Sequence, residues 1–210
     1  MYEGALYPGE PSIVDGAILA RCREFRAGRA AARCALVKAE GPAVSILADT
    51  NRVPIWPTGF VGSISHCDVI CAAVVAQCTD TLGLGLDLES ARVIPEDLLF
   101  SVLDADEQML LRERTTLDPI FHGILGFSAK EAFYKAIYPL ERTFLDFSDV
   151  RLELSSATNC CGAFHISSDE QHPDWDGSGR WRIHAGIVYT AYEVSKPRRY
   201  PPSRPVLDIP

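Results

Sequence analysis

Residues 81–89 read TLGLGLDLE, a strict alternation of leucines with small or acidic residues. Because side chains alternate between the two faces of a strand, the pattern predicts a strand with its leucines in the core and Gly83, Gly85, Asp87 and Glu89 on a shallow acidic floor. Two such carboxylates, about 7 Å apart, repel each other, and a hard cation between them would relieve that repulsion. The glycines would let a bulky ligand approach the backbone. The alternative is a strand end with its polar side in solvent.

A second group of charged residues lies in residues 127–136, which read FSAKEAFYKA. Glu131 and Lys135 are four apart and share a helix face, with Lys130 beside it. Metal-assisted phosphoryl transfer needs such a set, in which an acid holds the metal or takes the nucleophile's proton and lysines meet the pyrophosphate charge. The structural alternative is also clear. Ser128-x-x-Glu131 is a capping-box pattern, and Glu131 with Lys135 is a favoured surface ion pair.

A third motif, GSISH at residues 62–66, lacks the G-x-S-x-G spacing of a nucleophile elbow. A serine and His66 at a strand end could instead hold a phosphate by hydrogen bond and partial charge. The alternative is a structural histidine. The arginines of the first helix have a similar alternative, which is that they form a solvated helix face. For Trp56, between two prolines, the alternative is a core residue.

The periodicity along the chain predicts an α+β protein of two similar-sized halves, 1–80 and 81–210, packed tightly together. We expect a helix from Ser12 to Glu40, a strand from Val44 to Leu47 and a fixed loop from Arg52 to Pro57. Further strands are predicted at 60–66, 69–77 and 81–89, all in one sheet, and at 150–154, 162–166, 180–185 and 187–194. Further helices are predicted at 95–103, 105–113 and 119–138, and an extended proline-rich tail from Ser195.

The bulk composition excludes several classes of protein. With 210 residues, 47% of them hydrophobic, the chain can bury a sizeable core. A net charge of -8 argues against a nucleic-acid binder. The seven cysteines form no CxxC pair, which argues against zinc and predicts reduced, mostly buried thiols. No secretion signal or membrane-spanning stretch stands out, so we expect a cytoplasmic protein.

Taken together, the motifs resemble the surfactin/enterobactin type of 4′-phosphopantetheinyl transferase, in particular its siderophore-associated bacterial branch. The resemblance runs from about Arg21 to Leu154 and depends on five blocks in order. These are REF with GR and AR at 23–33, RVPIWPTG at 52–59, GSISHC at 62–67, GLDLE at 85–89, and FSAKEAFYKA at 127–136 followed by FLDF at 144–147. The D-x-E motif followed about forty residues later by F-S-x-K-E-x-x-Y-K-A is specific.

The resemblance implies two pseudo-equivalent α/β lobes with coenzyme A bound in the cleft between them. It implies Mg²⁺, or Mn²⁺, on Asp87, Glu89 and Glu131, with Lys135 near the leaving group and Asp87 and Lys135 also contacting the coenzyme. It further implies coenzyme contacts from six residues: Arg21, Arg29, Arg52, Ser65, His66 and Lys130. Arg23, Arg26 and Arg33 compete with Arg21 and Arg29 for that role.

The implied reaction moves phosphopantetheine from coenzyme A to a serine of an apo acyl, peptidyl or aryl carrier protein and releases 3′,5′-ADP. Glu131 would accept the hydroxyl proton, directly or through a water. We expect a monomer with no nucleic-acid or membrane partner. The pattern departs from some relatives at Ala48 and Asp49, and again at Glu141 or Arg142, where they have lysines. Two other functions stay open on the sequence: a metal-dependent nuclease or phosphohydrolase, and a non-catalytic partner-binding domain.

Overall fold

The computed structural model describes residues 4–68, 70–79, 81–168 and 177–195. The chain is α+β, as predicted. Its helices are α1 (Leu19–Lys38), α2 (Glu96–Val102), α3 (Ala105–Arg114) and α4 (Ile120–Glu141). Its strands are β1 (Phe60–Cys67), β2 (Ile70–Gln77), β3 (Thr81–Ser90), β4 (Val150–Ala157), β5 (Cys161–Ser168), β6 (Gly177–His184) and β7 (Ile187–Ser195). Short 3₁₀ turns lie at Pro11–Val14 and Phe147–Asp149. The predicted tail beyond Ser195 lies outside the described residues.

The strands form two sheets, so the prediction of β1, β2 and β3 in one sheet is wrong. β1 and β2 pair only with each other, as an antiparallel hairpin against which α1 packs. The second sheet is antiparallel with the order β3-β7-β6-β5-β4, so the first of its strands pairs with the last. Local alternation does not specify such a long-range partner. β1 nevertheless lies against β3, where the Leu88 N–H donates to Ser65 Oγ at 3.2 Å.

The first helix is shorter than predicted, and the strand at Val44–Leu47 does not form. Pro11 begins a separate 3₁₀ turn, and Gly16 has a φ of 72°, which breaks the helix before Leu19. The N–H of Ile46 donates to Oε1 of Glu10 at 2.9 Å instead of joining a ladder. Only an isolated bridge between Ala48 and Pro54 remains of sheet structure there.

The glycines of β3 allow α4 to pack closely against the strand. A Cβ on Gly85 would lie 1.7 Å from the carbonyl oxygen of Ala132, and one on Gly83 would lie 2.4 Å from that of Ala136. The predicted acidic floor is therefore mostly covered, and Asp87 is buried. Since α4 crosses β3 at the glycines, Glu131 and Lys135 are brought next to Asp87.

Two expectations from composition can be compared with the structure. All seven cysteines are free, but four are half-buried and three are exposed, so the prediction that most are buried is wrong. The exposed three lie on the outer side of α1 and in the β4–β5 turn, at Cys34, Cys160 and Cys161. Among the described residues no helix is long and apolar enough to cross a membrane.

Candidate active site

A cleft of about 950 Å³ is lined by residues from positions 14–66 and from positions 82–140. One wall comes from α1, from the loop at residues 48–56 and from β1. The other wall comes from the start of β3 and the C-terminal half of α4. Trp56 packs against the small core under α1, as the sequence suggested, and it also lines this cleft.

Basic residues from both walls line the cleft, although the protein as a whole is acidic. Its lining includes Arg21, Arg29, Arg52, His66 and Lys135. Arg21 and Arg29 share one face of α1 because they are eight residues apart, about two helical turns. Their competitors point elsewhere: Arg23 and Arg26 are exposed and do not line the cleft, and Arg33 donates to Glu10 at 2.8 Å. The geometry therefore favours Arg21 and Arg29.

Arg29 is a buried cation with no ion-pair partner among the residues that the structure describes. It is 6% exposed, its Nε has no hydrogen-bond partner, and its guanidinium lies 4.4 Å from the ring centroid of Phe25. Burial lowers the pKa of Arg29 to about 10, against the opposing charge of Glu10. The side chain is still protonated at neutral pH, and an anion in the cleft would compensate its charge.

His66 is held as a hydrogen-bond acceptor at the same end of the cleft. Arg21 Nη1 lies 2.9 Å from His66 Nε2, and since arginine can only donate, the histidine nitrogen accepts. Burial lowers the pKa of His66, and the charges of Arg21 and Lys135 lower it further, while Glu24 and Asp87 raise it. The imidazole is therefore neutral at pH 7, which keeps it next to cations without repulsion.

The acidic end of the site is formed by β3 and α4. Lys135 Nζ lies 2.5 Å from Asp87 Oδ1 and 3.9 Å from Glu131 Oε2. Asp87 Oδ2 is buried and has no hydrogen-bond partner. Burial raises the pKa of Glu131, helped by Asp87 and opposed by Lys135. Burial likewise raises the pKa of Glu89, helped by Asp87 and opposed by Arg92, whose Nη2 lies 3.0 Å from Glu89 Oε2.

Ser65 lies beneath the carboxylate rather than in the cleft. Its side chain is buried, donates to Asp87 Oδ1 at 3.2 Å and accepts the N–H of Leu88. Ser63, between Gly62 and Ile64, is the serine of this strand that lines the cleft. The sequence did not single it out. Alternation along β1 does not by itself say which serine meets a ligand. Ser63 and His66 are three residues apart and would lie on opposite faces of a regular strand, yet both line the cleft.

Lys130 differs from its expected role as a coenzyme contact. Its ammonium is 2% exposed and lies 2.9 Å from the Glu107 carboxylate. It also donates to the carbonyl oxygens of Val102, Phe147 and Val150, each at 2.9 Å. With every donor used inside the protein, it has none left for a phosphate. Its spacing of three and seven residues from Phe133 and Ile137, both core residues, could have revealed this orientation.

The capping alternative for Glu131 is wrong, because α4 begins eleven residues earlier. The helix starts at Ile120, and Ser128 lies in its interior, fully buried, with its Oγ 2.8 Å from Thr190 Oγ1. Glu131 instead opens onto a second, smaller cavity of about 120 Å³. Aromatic residues line that cavity, among them Tyr134, Phe144 and Phe147. Tyr134 also lines the large cleft, so it borders both cavities.

The carboxylates do not form a complete metal site by themselves. Across the described residues, no three His, Cys, Asp or Glu side chains lie close enough together to hold a metal ion. The donor set of Asp87, Glu89 and Glu131 is nonetheless all-oxygen, as Mg²⁺ prefers, and the unpartnered Oδ2 of Asp87 is a ligand atom in need of a cation. On these two observations the residues fit a hard divalent cation.

Comparison with known proteins identifies the family. The family model described as "4'-phosphopantetheinyl transferase N-terminal domain" matches residues 10–76, and the "4'-phosphopantetheinyl transferase superfamily" model matches residues 83–184. The chain is 35% identical over 197 residues to 4'-phosphopantetheinyl transferase Npt of Nocardia iowensis, covering 88% of this chain and 87% of that protein. This chain belongs to the 4′-phosphopantetheinyl transferase family. The predicted family is thus confirmed, and the protein is an enzyme.

Two further relatives of this phosphopantetheinyl transferase are informative. It is 34% identical to 4'-phosphopantetheinyl transferase Svp of Streptomyces mobaraensis, over 91% of this chain and 80% of that protein. It is also 36% identical over 116 residues to enterobactin synthase component D of Salmonella typhi, over 55% of this chain and 48% of that protein. These relatives support the siderophore and secondary-metabolite type of phosphopantetheinyl transferase for this chain, rather than a nuclease or a non-catalytic binding domain.

Proposed function

We propose that this enzyme transfers 4′-phosphopantetheine from coenzyme A to a serine of an apo carrier protein and releases 3′,5′-ADP in a Mg²⁺-dependent reaction. The observation that carries the proposal is the cleft between the two halves. Cations from both walls converge there, although the whole chain has a net charge of -8. A ligand with several phosphates, such as coenzyme A, matches that distribution of charge.

Arg29 supports binding of a phosphate in the cleft. A buried guanidinium with an unpartnered Nε gains charge-assisted hydrogen bonds when a phosphate arrives, and gains more than an exposed arginine would. Arg21, Arg52 and His66 line the same cleft and would contact the 3′-phosphate and the pyrophosphate. The neutral His66 would then offer a hydrogen bond rather than a charge.

Asp87, Glu89 and Glu131 are the residues that would hold the metal, with Mn²⁺ as an alternative to Mg²⁺. A cation bound there supplies neutralisation of the charge that develops on the pyrophosphate as the bond to the leaving group breaks. Lys135 would stabilise the same phosphates from α4. It already lies against Asp87 Oδ1, so its charge is at the site before any ligand binds.

Glu131 would accept the proton of the carrier's serine hydroxyl, directly or through one water. Burial raises the pKa of its carboxyl group, which makes the carboxylate a better proton acceptor. The hydroxyl oxygen would attack the β-phosphorus, the bond to the bridging oxygen of 3′,5′-ADP would break, and the proton would pass to Glu131 Oε. Glu131 lies beside the small aromatic cavity, from which the carrier's serine could approach.

The biological setting is also a proposal. Both walls of the cleft come from one chain, which supports a monomer, and the free thiols support a reducing compartment such as the cytoplasm. The decisive test mixes the enzyme with coenzyme A, Mg²⁺ and a panel of apo acyl, peptidyl and aryl carriers and weighs each carrier by intact-mass spectrometry. A mass gain of one phosphopantetheine on any carrier supports the proposal. No gain on any of them, with the enzyme folded, would sink it.

A further inference from the structure

One rim of the cleft is a tight loop organised by the Asp49 side chain. The Asp49 carboxylate accepts the backbone N–H groups of Asn51 and Val53 through Oδ1, both at 2.9 Å. The backbone N–H of Arg52 also donates to the Asp49 carbonyl at 2.9 Å. Arg52 itself has a φ of 66°, a left-handed conformation that a non-glycine residue adopts only where its surroundings impose it. Asp49 therefore fixes the backbone that carries Arg52 into the cleft.

The opposite rim is the C-terminal end of α4. Arg142 follows the last helical residue in a left-handed conformation with a φ of 58°, and its N–H donates to the Tyr138 carbonyl at 2.9 Å. Its guanidinium lies 6.0 Å from the centroid of the Tyr138 ring, and Tyr138 lines the cleft. The direction of the Arg142 side chain is thus set by the helix end and the ring.

The two rims are joined by an ion pair between residues 93 positions apart in the chain. Arg142 Nη1 donates to Asp49 Oδ2, the oxygen that the loop's own N–H groups leave free. The hydrogen bond from the guanidinium also lowers the pKa of Asp49, so the carboxylate is charged at neutral pH. Neither residue lines the cleft, yet each is bonded to one that does.

We infer that Asp49 and Arg142 form a latch between the two halves of the enzyme that sets the width of the cleft and aims Arg52 at the coenzyme. The two are positioning residues, since they act through Arg52 and Tyr138 and touch no reacting atom. The inference rests on the proposed function, because it assumes that coenzyme A binds in this cleft. An exposed ion pair adds little to folding stability, so we expect its loss to change coenzyme binding while the protein stays folded.

The test measures the Kd of coenzyme A by calorimetry and the kcat and KM of transfer, in wild type, Asp49→Asn, Arg142→Gln, the double variant and Arg142→Lys. Asparagine keeps an oxygen for the loop N–H groups and removes only the charge. Arg151→Gln is the matched control, because it breaks another exposed Arg–Asp pair, Arg151 to Asp106 at 3.0 Å, that does not line the cleft. Melting by circular dichroism checks that every variant is folded.

We expect each single neutral variant to raise the coenzyme Kd and KM about three- to fivefold, the range open to one exposed ion pair, with kcat unchanged. The double variant should bind coenzyme A no more weakly than the single variant with the higher Kd. Arg142→Lys should retain most of the affinity for coenzyme A, and Arg151→Gln should bind it as wild type does. Unchanged affinity in both single variants, or effects that simply multiply in the double variant, would overturn the latch. A wild type that binds no coenzyme A would instead refute the proposed function.

Discussion

Lys135 Nζ lies 2.5 Å from Oδ1 of Asp87, while Oδ2 of the same carboxylate is buried without a hydrogen-bond partner. The lysine thus pairs with one oxygen of a buried carboxylate and leaves the other oxygen, Oδ2, available to a cation. Ser65 donates to Oδ1 as well, which fixes the orientation of the carboxylate. The site is prepared for positive charge by residues from three elements, β1, β3 and α4.

Asp87→Asn is the variant that tests this arrangement. The amide keeps an oxygen for Ser65 and the size of aspartate, but it leaves Lys135 without its close partner and cannot serve as an anionic metal ligand. We expect transfer to fall by a factor of about 10² or more, with the variant still folded by circular dichroism. A wild-type transfer rate at limiting Mg²⁺ would remove Asp87 from the metal site.

The sequence predicted the parts of this site that depend on local patterns, and it did not predict the parts that depend on contacts between distant residues. Alternation over 81–89 and the spacing over 119–138 located β3 and α4 closely, because both patterns are local. The same patterns could not specify that β3 pairs with β7, which is a long-range choice. They also left open whether Gly83 and Gly85 admit a ligand or a helix.

Lys130 and Glu131 illustrate the same limit within one motif. Neighbours on a helix are about 100° apart, so two adjacent charged residues point in different directions from the helix axis. Glu131 faces the site, whereas Lys130 faces the core with Phe133 and Ile137. A motif match gives the residue types but not the direction of each side chain. The helical spacing of a residue from its core neighbours indicates that direction.

Lys130→Met should therefore act on stability. The variant leaves the Glu107 carboxylate, which is 2% exposed, buried without its cation. Breaking a buried pair from one side costs about 3–5 kcal/mol. Urea unfolding monitored by circular dichroism should show a loss of that size, and Glu107→Gln in the same background should recover part of it. Full stability combined with weakened coenzyme A binding would return Lys130 to the phosphate-binding group.

Arg29→Met separates stability from binding in the opposite sense. Removing a buried cation that has no ion-pair partner in the described part of the chain should leave the melting temperature equal to or above that of wild type. The Kd of coenzyme A should rise at least about tenfold, since a charge-assisted hydrogen bond to phosphate is lost. Arg26→Met, on the same helix but exposed and outside the cleft, is the control and should change neither quantity. Equal losses of affinity in both variants would mean that only the overall charge matters.

His66→Ala should distinguish which phosphate lies near the Arg21–His66 pair. If this end of the cleft holds the 3′-phosphate, the variant should bind coenzyme A more weakly while its affinity for dephospho-coenzyme A changes less. Calorimetry with both ligands measures the difference directly. Equal weakening for the two ligands would remove His66 from the 3′-phosphate site and leave it a role in supporting the loop and α1.

Glu131→Gln tests the proposed general base, and its effect on stability has a definite sign. The folded protein holds the Glu131 proton more tightly than the unfolded chain does, because burial raises the carboxyl pKa above its ordinary value of 4.5. The ionised side chain therefore destabilises the fold at neutral pH, and its neutral replacement should raise the melting temperature of the metal-free enzyme or leave it unchanged. That difference should vanish below pH 4.5, where the wild-type group is protonated in both states.

Transfer by Glu131→Gln should fall by a factor of about 10² or more, while metal-free binding of coenzyme A stays near wild type. Glu153→Gln, which removes an exposed carboxylate from β4, is the control and should retain full transfer. Near-normal transfer by Glu131→Gln would mean that another group takes the serine proton, and the site would then have to be rebuilt around Asp87 and Glu89.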